Sequence, residues 1–160
     1  MTVHRLLLRA AALGALTCAG LAAMSTTAVR AETCTFLQPV GGNGTTPIVS
    51  KTIGPGKLFG RTNWNTDFYV TQPYNRYKLF FTANSSVSAT YPIEAYLKFT
   101  DGSNLRVFND SVTPRPGTGG HIAVPGYPTK TTSQVNIKVG AGSNLAATGF
   151  SYRISVQGCR

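Results

Sequence analysis

Acidic residues are few in this sequence: five in 160, against fifteen lysines and arginines. So short a supply restricts the chemistry that carboxylates carry. A calcium site needs several clustered oxygen donors, and Asn109-Asp110-Ser111 offers too few. Glycoside hydrolysis needs two carboxylates facing one cleft, and no pair stands out among Glu32, Asp67, Glu94, Asp101 and Asp110. Histidine is scarcer still, with only His4 and His121. A triad of His121, Asp110 and a serine can be drawn, but no Gly-x-Ser-x-Gly occurs anywhere. His121 therefore reads as a loop-edge residue satisfied by backbone. A phosphate loop ending at Gly56-Lys57 would need glycine at position 51, where lysine stands, so Gly54-Pro55-Gly56 reads as a turn. No catalytic residue, metal or cofactor is expected.

A second absence is helical periodicity beyond Ala31. Before that point the chain has a different character. His4, Arg5 and Arg9 make a basic start, Ala10 to Met24 is an uncharged Ala/Leu/Gly-rich stretch, and Val29-Arg30-Ala31 fits a signal-peptidase site. An uncleaved anchor is the competing reading, but so Ala/Gly-rich a stretch makes a weak membrane span. The expectation is a secretory signal at residues 1–31 and a single domain at residues 32–160, extracellular or periplasmic, with no membrane span after cleavage.

Of the three cysteines, Cys18 would leave with the signal, and Cys34 and Cys159 would remain. In an oxidising compartment one disulfide is the economical pairing; two free thiols or bonds to other chains are the alternatives. As a metal site the pair is poor, because two thiolates need further ligands and a single histidine is left. The expected domain keeps twelve basic residues against five acidic ones, a charge of +7. That excess favours anionic partners. The basic residues are spaced singly, so no dedicated nucleic-acid patch is signalled.

What the sequence does have is period two. Ile93, Ala95, Leu97 and Phe99 alternate with Glu94, Tyr96 and Lys98, as in a half-buried strand. Val135 to Val139 and Phe150 to Val156 repeat the pattern. Shorter candidates are 47–52, 68–71, 77–82, 105–108 and 121–124. Glycine, proline and asparagine punctuate them, and Asp101-Gly102 is the strongest hairpin signal. Seven or eight short strands predict an all-β antiparallel sandwich, jelly-roll-like, closed by the Cys34–Cys159 disulfide. Gly158 is expected to turn the chain so that Cys159 reaches Cys34. The segment 109–132, with four prolines, reads as the longest irregular region.

Asp67-Phe68-Tyr69-Val70, Ala95-Tyr96-Leu97 before Asp101-Gly102, Val135 to Val139 and Gly149 to Val156 follow one another in an order that resembles bacterial pre-peptidase C-terminal domains. The likeness spans about Trp64 to Val156. Ala95 stands where that family usually carries an acid. The resemblance implies a β-sandwich without catalysis.

The remaining signal is on the surface. Arg61-Thr62-Asn63-Trp64-Asn65 sets the only tryptophan between two asparagines. An aromatic face suits the C–H surface of a sugar, and amides suit its hydroxyls. Tyr69 and Tyr96 should project away from the core, with Arg61 and Lys98 supplying positive charge. Arg61, Asn63, Trp64, Asn65, Tyr69, Tyr96 and Lys98 are the candidate ligand-binding residues. The ordinary use of such aromatics, as core caps and cross-strand pairs, is the alternative. Two functions are expected: a secreted, non-enzymatic module binding polysaccharide or an anionic envelope polymer, or a structural or protein-interaction domain of the cell envelope or extracellular matrix.

Overall fold

A computed structural model describes residues 31–53, 65–140 and 149–160. The expected signal segment, the Gly54 turn, and the candidates Arg61, Asn63 and Trp64 lie outside the described residues. Among those described, all regular structure is strand: β1 (Cys34–Phe36), β2 (Val49–Thr52), β3 (Asn65–Tyr69), β4 (Arg76–Ala83), β5 (Tyr91–Phe99), β6 (Asn104–Val112), β7 (Gly119–Pro125), β8 (Thr132–Val139) and β9 (Ser151–Cys159). Every pairing is antiparallel.

The topology is that of one long hairpin rolled up. Its tip is the turn between β5 and β6, where Gly102 takes φ 83° and Ser103 donates its backbone N–H to Asp101 Oδ1 at 2.9 Å. No non-glycine residue described has positive φ. The hairpin therefore closes with a single left-handed glycine, which is the role the Asp-Gly pair is suited to. Moving outward from the tip, β4 pairs with β7, β3 with β8, and β1 and β2 with β9. Rolling sends alternate pairs to opposite layers. One sheet runs β1-β9-β4-β7, with β2 also on β9; the other runs β3-β8-β5-β6. This is the expected sandwich of jelly-roll type.

Alternation fills the core. β5 is buried at every odd position, with Ile93, Ala95, Leu97 and Phe99 at or below 5% exposure. Facing them from the other sheet are Tyr77, Leu79 and Phe81 of β4 and Tyr152, Ile154 and Val156 of β9. Each large aliphatic so buried contributes about 1.5–3 kcal/mol relative to an exposed one.

Four expectations need correction. Nine strands form among the described residues, because Cys34–Phe36 is a strand of its own. The segment 109–132 is half strand: β6 runs to Val112 and β7 occupies Gly119–Pro125, leaving loops at 113–118 and 126–131. His121 accordingly sits within β7, in register with Phe80, and not at a loop edge. Gly158 makes no turn. It lies in β9 opposite Thr35, and a Cβ there would fall 2.4 Å from the Tyr74 ring. Glycine is needed for the ring's close approach.

Cys34 and Cys159 face each other directly and are bonded, with Cα atoms 4.1 Å apart. Their neighbours Thr33 and Arg160 exchange both backbone hydrogen bonds, at 3.0 and 2.9 Å. The cysteines thus occupy a non-hydrogen-bonded pair, the position at which antiparallel strands bring side chains closest.

Candidate functional site

Period two in β3, β8, β5 and β6 sends one set of side chains to the outside of the four-stranded sheet, and the register sorts them into rows. One row reads Asn65, Lys138, Glu94, Asn109; the next Asp67, Asn136, Tyr96, Arg106; the third Tyr69, Gln134, Lys98, Asn104. Four residues expected from sequence to bind ligand, Asn65, Tyr69, Tyr96 and Lys98, therefore share this face. Tyr69 is 47% exposed at its edge. Tyr96 lies two strands away, about 10 Å across the sheet.

The face is braced by polar contacts. Asp67 Oδ1 accepts from Lys98 Nζ at 2.8 Å and from Asn136 Nδ2 at 2.9 Å. Glu94 accepts from Lys138 Nζ at 3.1 Å through one oxygen and from the Tyr96 hydroxyl through the other. Asn136 thus ties β8 to β3 and Lys138 ties β8 to β5, Lys98 reaches from β5 over β8 to β3, and Glu94 holds the Tyr96 ring of its own strand by its polar end. The hydrogen bond from Tyr96, seconded by Lys138, keeps the Glu94 carboxyl below its ordinary pKa. A general acid for glycoside cleavage requires the reverse shift. Asp67 and Glu94 do share a face, but both are occupied as ion-pair partners.

Beside this face lies a cleft of about 500 Å³, bounded by the segment between β1 and β2 and by the start of β3. Asn65 and Asp67 belong to both cleft and face. Lys51 crosses from β2 and donates to the Asn65 carbonyl at 2.7 Å, and burial lowers its pKa. The cleft's remaining polar wall includes Asn43, Thr46 and Ser50.

Sequence reasoning missed Gln134, Asn136 and Arg106. The alternation around Val135 and Ile137 already placed Gln134 and Asn136 on an outer face. What the pattern could not supply was that β8 lies between β3 and β5, so that its polar residues bridge the two tyrosines. Arg106 is hidden for another reason: a register shift opposite Ala95 and Tyr96 breaks the alternation of β6.

Elsewhere, Glu32, Cys34 and Cys159 gather donor atoms closely enough for a metal. Both sulfurs are bonded to each other, leaving a carboxylate that already pairs with Arg76 and with Lys78, the latter at 2.8 Å. That set fits no metal.

No protein-family model matches the chain, and no curated protein does. Solved structures do. The N-terminal cellulose-binding domain of Cellulomonas fimi β-1,4-glucanase C aligns at 10% identity over 78% of this chain and 85% of its own, with a TM-score of 0.40. The C-terminal family 22 carbohydrate-binding module of Clostridium thermocellum Xyn10B aligns at 17% identity over 79% and 84%, with a TM-score of 0.38. The enzymatically active domain of tailspike protein 4 of bacteriophage CBA120 aligns at 14% identity over 81% of this chain and 19% of its own, with a TM-score of 0.36. A likeness at this level decides nothing about function.

Proposed function

We propose that the chain is a secreted, non-enzymatic polysaccharide-binding module, released as residues 32–160, and that the outer face of the four-stranded sheet receives the sugar. The observation that carries this reading is the row structure of that face. Two tyrosines braced by ion pairs provide rings for pyranose C–H surfaces, and Gln134, Asn65 and the charged groups between and beside them provide donors and acceptors for hydroxyls, while the buried Asn136 holds Asp67 in place. The ion pairs fix side chains before binding, which reduces the ordering cost that a flexible polar surface would incur. Lys98, Lys138 and Arg106 nearly cancel against Asp67 and Glu94, so the face suits a neutral polysaccharide better than a charged one. Trp64 joins the proposal on its sequence position next to Asn65.

Affinity electrophoresis through gels containing xylan or a mixed-linkage β-glucan tests the reading. Retardation by at least one neutral polysaccharide is expected, with Tyr96→Ala and Trp64→Ala each weakening it about tenfold. Migration unaltered by any neutral polysaccharide, or retardation indifferent to both substitutions, overturns it.

A further inference from the structure

The opposite face carries a feature that the proposed sugar surface does not use. On the outside of the five-stranded sheet, Phe36 of β1, Phe80 of β4 and His121 of β7 form a run of rings, Phe80 directly opposite His121 and Phe36 one pleat along, with ring centroids 6.0 Å apart between the phenylalanines and 5.7 Å between Phe80 and His121. Phe80 stands opposite Ser155 of β9, which is only 8% exposed although it points away from the core. Phe36 is itself 44% exposed, and Ile48, beside Ser155 in a shallow pocket with Phe80, is 48% exposed. Leaving an apolar row on a solvent face is unfavourable unless a partner covers it.

The charges flanking the row indicate what that partner is. One pleat to one side of Phe80 lies Lys78, in register with Phe36 across Gln157, followed by Arg76; one pleat to the other side lies Arg153. Glu32 is the single acid among them, and it answers both Arg76 and Lys78. Among the described residues, Arg153 donates to the neutral Asn84 amide oxygen at 3.0 Å and meets no carboxylate. Each flank thus carries about one uncompensated positive charge, with the rings between. A second copy of the chain laid on this face would bring cations against cations. A chain of sugars whose successive residues alternate in orientation would instead stack its C–H faces on the rings and present carboxylates to both flanks.

We propose that the Phe36–Phe80–His121 row is a second binding surface, and that its ligand is an acidic polysaccharide. Rings supply contact area that salt does not screen, while the flanking cations supply selection for charge.

Polygalacturonate is the probe, compared with neutral xylan and with anionic phosphatidylglycerol vesicles. Polygalacturonate is expected to bind, with Phe80→Ala weakening it about tenfold and Arg153→Gln weakening it while making its salt dependence shallower. Tyr96→Ala, on the other sheet, should leave polygalacturonate binding unchanged, which separates this surface from the neutral-sugar face. Arg153→Gln alters an exposed side chain, so it serves even if Phe80→Ala misfolds. Absence of polygalacturonate binding, or polygalacturonate binding insensitive to both substitutions, overturns the proposal. So does vesicle binding without polygalacturonate binding, or a dimer in sedimentation that Phe80→Ala dissolves.

Discussion

At the residue scale, Glu94 joins stability to the candidate site. Its carboxylate holds Tyr96 and Lys138 in place, and those contacts depress its pKa. Because the folded value lies below the unfolded one, the stabilisation is complete above the ordinary carboxylate range and is lost as pH falls through the folded value. Glu32 and Asp101, also depressed by hydrogen bonds from Lys78 and Ser103 respectively, act in the same direction. The melting temperature should therefore fall as pH drops below about 4. Glu94→Gln should start lower at neutral pH and lose less on acidification. Parallel curves for the two proteins would show that Glu94 has no part in the acid response. This network was partly legible beforehand: alternation placed Glu94, Tyr96 and Lys98 outward together. Their partners were not, since Asp67 and Lys138 become neighbours only through sheet order.

At the element scale, the strands that sequence revealed best are those buried on one face and polar on the other, β5, β8 and β9. Strand β7 escaped in part because Gly119, Gly120 and Pro125 carry turn chemistry into a strand. The reason lies in the partner. A Cβ on Gly119 would stand 2.2 Å from the Phe81 carbonyl oxygen and 2.6 Å from Thr82 Oγ1, whereas a Cβ on Gly120 would meet nothing within 4 Å. Only the first glycine is required by the close approach of β4. Gly119→Ala should destabilise the domain by about 1–3 kcal/mol through displaced backbone. Gly120→Ala should stay within about 0.5 kcal/mol of wild type. Urea titration of the two variants checks this; equal effects would mean that β7 does not depend on contact with β4 at that end. The same pairing anchors His121 against Phe80, so polygalacturonate binding should weaken along with stability in the first variant only.

At the scale of the whole molecule, the disulfide governs how much the rolled hairpin gains from its own topology. Most residue contacts join positions far apart in sequence, and β9 is central to one sheet, pairing with β1, β2 and β4. Cys34–Cys159 links β9 to a strand of only three residues, across a separation of 125. Two effects of reduction are possible. If the bond mainly holds β1 in place, its loss frays that strand and leaves the core as stable as before. If it mainly restricts the unfolded chain, every core strand loses stability equally. Loop-closure entropy for so long a span is on the order of 5 kcal/mol, far more than three residues of edge pairing supply. The second effect should prevail. Reduction is expected to lower the melting temperature by about 10–20 °C. Hydrogen exchange should show the most protected amides of β4, β5 and β8 losing protection by one common factor. Loss confined to β1 and the end of β9, with those core amides unmoved, would assign the disulfide a purely local role.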